Sequence, residues 1–348
     1  MLSMRSMHRE IPPCPVFGEC GGCQYQDISY PKELEIKEQY LRALFTERLP
    51  VPEKIFEPIL ASPKIYHYRN RLDLKLQRMR QGGVLVGFSP EGKNGILPVD
   101  GCPIAMKEIS DFVPRLKEEA AAKLTAKHNI ANLVVRTGDN GRISWGGIGR
   151  RSLKKDPGEY LWTEIKDLRI YYSLETFFQA NLSILPEVIG YIHSLNLGGS
   201  DVSFWDLYGG AGLFGICLAG SVQEVFFIEE VGPSVNMARY NALYNKISNM
   251  TIVTGRVEET LPGLLKDKTG RAAAMVDPPR AGLSASARET VADAFFEKVL
   301  YLSCSPESLI EDLKFFAERK WKIVKICPMD FFPRTKHLET LVLLYRVS

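Results

Sequence analysis

From residue 173 onward, short apolar runs rich in β-branched and aromatic residues alternate with stretches of helical period. The runs at 203–208 (SFWDLY), 224–230 (EVFFIEE), 250–255 (MTIVTG), 272–276 (AAAMV), 298–304 (KVLYLSC) and 321–329 (WKIVKICPM) read as strands. Stretches near 178–195, 213–220, 233–245, 286–296 and 306–318 read as helices, and 340–347 as a last strand. Strand–helix alternation of this kind permits few outcomes. It specifies βαβ units, a mostly parallel sheet covered on both faces, and a ligand crevice beyond the carboxyl ends of the strands.

Upstream the rhythm differs. Residues 1–28 are rich in Pro, Gly and Cys and read as a loop, and 29–47 carry apolar residues at helical spacing. From about 64 to 172 the pieces RLDLKL, GVLVGF, NLVVRT, RISWGG and LRIYYSL suggest an antiparallel β-rich module, interrupted by a helix near 105–127. The expected organisation is a loop and helix over 1–62, a β-rich domain over 63–172 and a Rossmann-like α/β domain over 173–348. A chain of 348 residues with 45% hydrophobic and 24% charged residues is an ordinary globular protein. With neither a signal-peptide core nor an apolar run of about 20 residues, a cytoplasmic, non-membrane protein is expected, and a monomer. A net charge of +3 names no polyanionic partner. The window 64–80, however, sets six Lys or Arg against Asp73 alone. Strand alternation puts Arg69, Arg71, Asp73 and Lys75 on one face and Leu72, Leu74 and Leu76 on the other. That face is either a solvated surface or a phosphate-contacting one.

Chemistry concentrates at the strand ends of the α/β half. Asp206-Leu207-Tyr208-Gly209-Gly210-Ala211-Gly212 closes one strand with a turn that lets backbone approach a ligand. Gly210, Gly212 and Gly215 satisfy G-x-G-x-x-G, and Glu229, at the next strand end, could accept two ribose hydroxyls. A nicotinamide cofactor and S-adenosylmethionine (SAM) both suit these features. Asp277-Pro278-Pro279-Arg280 stiffens a third strand exit, where Asp277 could accept from a pyrimidine N3–H. Cys304 lies just before a helix start, an environment expected to favour the thiolate. Glu339 precedes the last strand and could act as a base. A cofactor turn, a strand-end Asp, a Cys and a Glu together suit methylation of an unactivated pyrimidine carbon, because thiolate addition at C6 makes C5 nucleophilic.

With these motifs in hand, the chain resembles the SAM-dependent RNA uracil-5-methyltransferases, which act on tRNA and 23S rRNA. The resemblance rests on Phe177-Phe178-Gln179-x-Asn181, DLYGGAG, Glu229, DPPR, SC-x-P and FP-x-T-x-H-x-E. It implies Cys304 as nucleophile and Glu339 as base. It also implies that Gln179, Tyr208, Gly210, Gly212, Glu229 and Asp277 hold the cofactor. Phe177 and Asp277 would meet the uracil, and Arg69, Arg71 and Lys75 the RNA. The sequence departs from the family pattern at Gly209, often Cys, at Leu213, often Asn, and in SCSP for SCNP. Cys14, Cys20, Cys23 and Cys102 match the set that holds a [4Fe–4S] cluster in the rRNA branch, although four thiolates would equally suit zinc. The early position of Cys14 leaves no room for the N-terminal β-barrel of many rRNA members. Methylation of a 23S rRNA uridine through a Cys–C6 adduct is therefore expected. The alternatives are a tRNA T-loop uridine methyltransferase, a nicotinamide-dependent oxidoreductase and a non-catalytic RNA-binding module.

Overall fold

A computed structural model describes residues 9–123, 130–147, 159–266 and 268–347. After a segment without helix or strand, α1 (Tyr30–Arg48) leads into an antiparallel sheet. Its strands are β1 (Arg71–Arg78), β2 (Val84–Phe88), β3 (Leu97–Pro98), β4 (Ile130–Thr137) and β5 (Ile143–Gly147), in the order β3-β2-β1-β4-β5. Helix α2 (Lys107–Lys123) covers one face, burying Val113 and Leu116 against Leu72, Leu74 and Leu76. The expected alternation along β1 is therefore present: leucines inside, Asp73 and Lys75 exposed. Residues 124–127 of the anticipated 105–127 helix lie outside the described residues.

A hairpin follows, β6 (Leu161–Ile165) with β7 (Leu168–Tyr172). Its first strand was not anticipated. Its Leu161, Ile165 and Ile170 are buried in the same core as Phe204 and Met275 of the α/β half, so the hairpin packs with that half although it precedes residue 173.

The remaining elements are α3 (Leu185–Ser194), β8 (Gly199–Leu207), α4 (Leu213–Leu218), β9 (Val222–Glu229), α5 (Gly232–Tyr244), β10 (Met250–Thr254) and α6 (Val257–Leu265). They continue with β11 (Arg271–Val276), α7 (Ala285–Asp293), β12 (Lys298–Ser303), α8 (Pro306–Glu318), β13 (Trp321–Met329) and β14 (Glu339–Arg346). The seven-stranded sheet runs β10-β9-β8-β11-β12-β14-β13. Strands β8 to β12 are parallel, and β14 inserts antiparallel between β12 and β13. Successive residues feed opposite cores: Phe204, Val225, Met275 and Leu300 one, Trp205, Phe226, Ala274 and Tyr301 the other. Such strands read as continuous apolar runs because both faces are covered. The fold is α/β with a Rossmann-like sheet and a second β-rich sheet.

Two differences have physical reasons. The helix expected from 178 begins at Leu185, because the irregular backbone at 173–181 is held out of a helix by partners elsewhere. Arg136, fully buried on β4, donates to the carbonyls of Ser173 (2.8 Å), Thr176 (2.6 Å) and Phe178 (3.0 Å), and Asn70 donates to that of Gln179 (3.1 Å). Helix α6 was not foreseen; its apolar face is short and Pro262 interrupts it. Among the described residues no helix is long and apolar enough to cross a membrane.

Candidate active site

The register of the inserted strand brings the two reactive side chains together. Ser303 on β12 pairs with Thr340 on β14, so the next step along the ladder sets Cys304 opposite Glu339. In sequence they lie 35 positions apart, with a whole α8–β13 unit between them, and the strand register supplies the proximity that their combined chemistry led one to expect. Cys304 is half-buried; the Ser305 side chain caps α8 by accepting from the Ser308 N–H.

The electrostatics differ from what the helix start alone suggests. The Cys304 thiol is pushed up to about 11, first by burial and then by Glu339, with Asp277 adding and Arg280 opposing. The expected thiolate-favouring setting is thus outweighed by burial, with carboxylates facing the sulfur adding to it. Glu339, buried at 6% exposure, is itself raised to about 8 by burial and by Asp277, against Arg280. Burial and Asp206 raise Asp277 to about 7. Asp206, under the turn, is also raised to about 7 by burial, although its Oδ2 accepts the Gly215 N–H at 2.8 Å. Beyond it, Glu229 accepts the N–H of Gly210 (3.0 Å) and of Val231 (2.8 Å), one on each oxygen. Four carboxylates thus run beneath the strand ends, Glu229, Asp206, Asp277 and Glu339, a row suited to a cation.

The turn between β8 and α4 needs unusual backbone. Tyr208, Gly210 and Gly212 all have positive φ (63°, 55° and 85°), which glycine adopts freely and tyrosine only under constraint. Two small cavities meet at Tyr208. One is lined by Phe177, Gln179, Gly210, Leu213 and Asp277, the other by Ile228, Glu229, Val257 and Pro279. Gln179 Nε2 donates to Asp277 Oδ2 at 3.4 Å, and Phe177 is 65% exposed at the mouth. The structure therefore gathers Cys304, Glu339, Asp277, Gln179, Tyr208, Gly210, Gly212, Glu229 and Phe177 along one edge. Arg280, quoted only as part of DPPR, belongs there too because it faces Cys304 and Glu339.

The N-terminal cysteines form a separate centre. Cys14, Cys20, Cys23 and Cys102 line one cavity of about 270 Å³, together with Gln26 and Arg69. Among the described residues no three His, Cys, Asp or Glu side chains converge closely enough to hold a single metal ion. Arg69 therefore sits with the thiols rather than on an open basic face. Arg71 is ion-paired with Asp73 (2.7 Å), and of the three expected RNA contacts Lys75 is the exposed one, Arg69 and Arg71 being partly buried.

Comparison with known proteins follows the same lines. The family model described as tRNA (Uracil-5-)-methyltransferase matches residues 158–347. The chain is 28% identical over 390 residues to an uncharacterized RNA methyltransferase of Caldanaerobacter subterraneus, covering 98% of this chain and 86% of that one. It is 27% identical over 351 residues to the tRNA (uracil(54)-C(5))-methyltransferase of Schizosaccharomyces pombe, covering 96% and 65%. Among solved structures, the Pyrococcus abyssi tRNA (uracil-54, C5)-methyltransferase in complex with S-adenosyl-L-homocysteine has the same fold. Its TM-score is 0.73 at 24% identity, over 93% of this chain and 85% of that one.

Proposed function

The chain belongs to the tRNA (uracil-5-)-methyltransferase family, and from that premise we propose that it methylates C5 of a 23S rRNA uridine through a covalent Cys304–C6 adduct. The observation that carries this reading is the pairing of Cys304 with Glu339 beside Asp277 and the glycine turn. Family membership favours methyl transfer over the nicotinamide-dependent alternative. SAM, bound along the two cavities that meet at Tyr208, supplies an electrophilic methyl on a cationic sulfur. Glu229 would take its ribose hydroxyls, and Gln179 with the glycine turn would hold its amino-acid end. The row of carboxylates offsets its positive charge.

Cys304, neutral in the free protein, gives its S–H proton to solvent as its sulfur bonds to C6. Asp277 holds the uracil, and the π electrons of the C5–C6 double bond, freed by sulfur addition at C6, would form the C5–methyl bond as the methyl–sulfur bond of SAM breaks and S-adenosylhomocysteine leaves. The Glu339 carboxylate takes the C5 proton, and the C5–H electrons restore the ring and expel the Cys304 sulfur. Such a reaction requires the uridine to leave its stack, with Phe177 at the mouth to receive it.

The four thiols support a [4Fe–4S] cluster. They come from two segments and line one cavity, and the resemblance to the cluster-bearing rRNA branch is what favours iron–sulfur over zinc. Arg69 would offset its negative charge, and the Gln26 amide would hydrogen-bond the Cys23 sulfur. This set is also what supports an rRNA over a tRNA substrate, with the protein acting as a cytoplasmic monomer. Mapping 5-methyluridine in cellular RNA with and without the protein tests the assignment. Loss of one 23S site is expected, and loss confined to tRNA overturns the rRNA reading. Purified protein should show acid-labile sulfide and stabilisation by S-adenosylhomocysteine but not by NADH.

A further inference from the structure

The loop at 330–338 delivers Glu339 to the site, and its anchors lie in the cysteine-bearing segment. Arg334, five residues before Glu339, is 1% exposed yet sits in left-handed backbone, with φ 67°. A non-glycine residue keeps that conformation only when its surroundings over-determine it. Here they do. Its guanidinium donates to the carbonyls of Ile28 (2.7 Å) and Tyr25 (3.3 Å) and to Glu10 (3.3 Å). Its own carbonyl accepts the N–H groups of Gln24 (2.9 Å) and Tyr25 (3.1 Å), and its N–H donates to buried Glu33 (2.7 Å). Gln24 completes the link. Its Nε2 donates to the carbonyl of Gly21, inside Cys20-Gly-Gly-Cys23, at 2.8 Å, while its Oε1 accepts the Lys336 N–H at 3.0 Å. One amide thus touches the cysteine turn and the loop three residues before Glu339.

We propose that Gln24 and Arg334 are positioning residues that lock the 330–338 loop to the Cys20–Cys23 turn and so set Glu339 against C5 of the substrate. This deepens the reading of Glu339 as the base and rests on it. The step at stake is late: breaking C5–H, with the proton passing to the Glu339 carboxylate and the electron pair expelling the Cys304 sulfur. Sulfur addition and methyl transfer do not use Glu339 as base, so a misaligned loop should stall the methylated adduct rather than prevent its formation. Misplacement by about 1 Å costs up to roughly a hundredfold in rate.

The test uses the full chain with 5-tritiated-uridine total RNA from cells lacking the enzyme, and SAM carrying a labelled methyl. Gln24→Ala and Arg334→Lys are expected to slow tritium release roughly tenfold to a hundredfold. Methyl label should accumulate in denaturation-resistant protein–RNA adduct, formed at the wild-type rate. A merely structural role would lower adduct formation and tritium release together, and that result, or no change in either, overturns the proposal. Gln24 is half-buried and off any helix or strand, so Gln24→Ala keeps the test decisive should Arg334→Lys fold poorly. Glu339→Gln is the control. If it does not accumulate adduct, the base assignment falls and the proposal with it; if it does and neither variant does, the positioning claim alone falls.

Discussion

Glu339 and Cys304 illustrate how much of a side chain's chemistry is set by its neighbours. The sequence singles out both residues, but not that Glu339 raises the thiol's affinity for its proton while burial and Asp277 raise that of Glu339. That coupling comes from strand register and burial. Two outcomes follow. Cys304→Ala should abolish denaturation-resistant adduct with RNA, whereas Glu339→Gln should accumulate it; gel electrophoresis in denaturant reads both, and adduct in Cys304→Ala contradicts the nucleophile assignment. Because Glu339 is raised to about 8, product release should climb from about pH 6 to about pH 9 as the carboxylate forms. The same shift has a stability consequence. The folded state holds the Glu339 proton more tightly than the unfolded chain, so this contribution is complete below the ordinary carboxylate range and is lost as pH rises through about 8. Glu339→Gln removes that loss, so between acid and alkaline pH the variant should gain on the wild type by up to roughly 5 kcal/mol, the distance from 4.5 to about 8 at about 1.4 kcal/mol per pKa unit. Equal melting temperatures at pH 6 and pH 9 for the pair would contradict it.

At the scale of elements, the strand and helix alternation was readable because each strand buries both faces. The irregular segment at 173–181 was not, because buried Arg136 of β4 and Asn70, just before β1, hold it. The first hairpin strand, LWTEI, was missed because its apolar alternation is short. The turn after β8 adds a contrast. Gly209 is one of the departures from the family pattern noted above, and the structure requires a small residue there. A Cβ there would lie 2.2 Å from the Phe227 ring, so ring and side chain exclude each other. Gly209→Ala should therefore cost about 1–3 kcal/mol through overpacking, and Phe227→Leu in the same chain should recover part of it. Denaturant titration checks both, and additive losses would contradict the steric account.

Across the whole molecule, charge separates the two tasks: carboxylates collect under the cofactor turn and cations on the β-rich half. Arg71 spends its guanidinium on Asp73, while Lys75 is exposed. Lys75→Ala should weaken RNA binding and lower the slope of log affinity against log salt by about one. Arg71→Ala should change the slope less, and the reverse order would contradict the proposed contact. Sequence alone did not distinguish the two, since ion pairing across one strand face is a matter of side-chain geometry. The strand that supplies Glu339 fills the gap between β12 and β13, both of which precede it in the chain. As the ribosome makes this protein, the thiol therefore emerges before its acidic partner, and the pair is assembled only when the final strand slides home. On the proposed roles, a chain still lacking β14 would hold the Cys304 sulfur without the carboxylate that is to release the product.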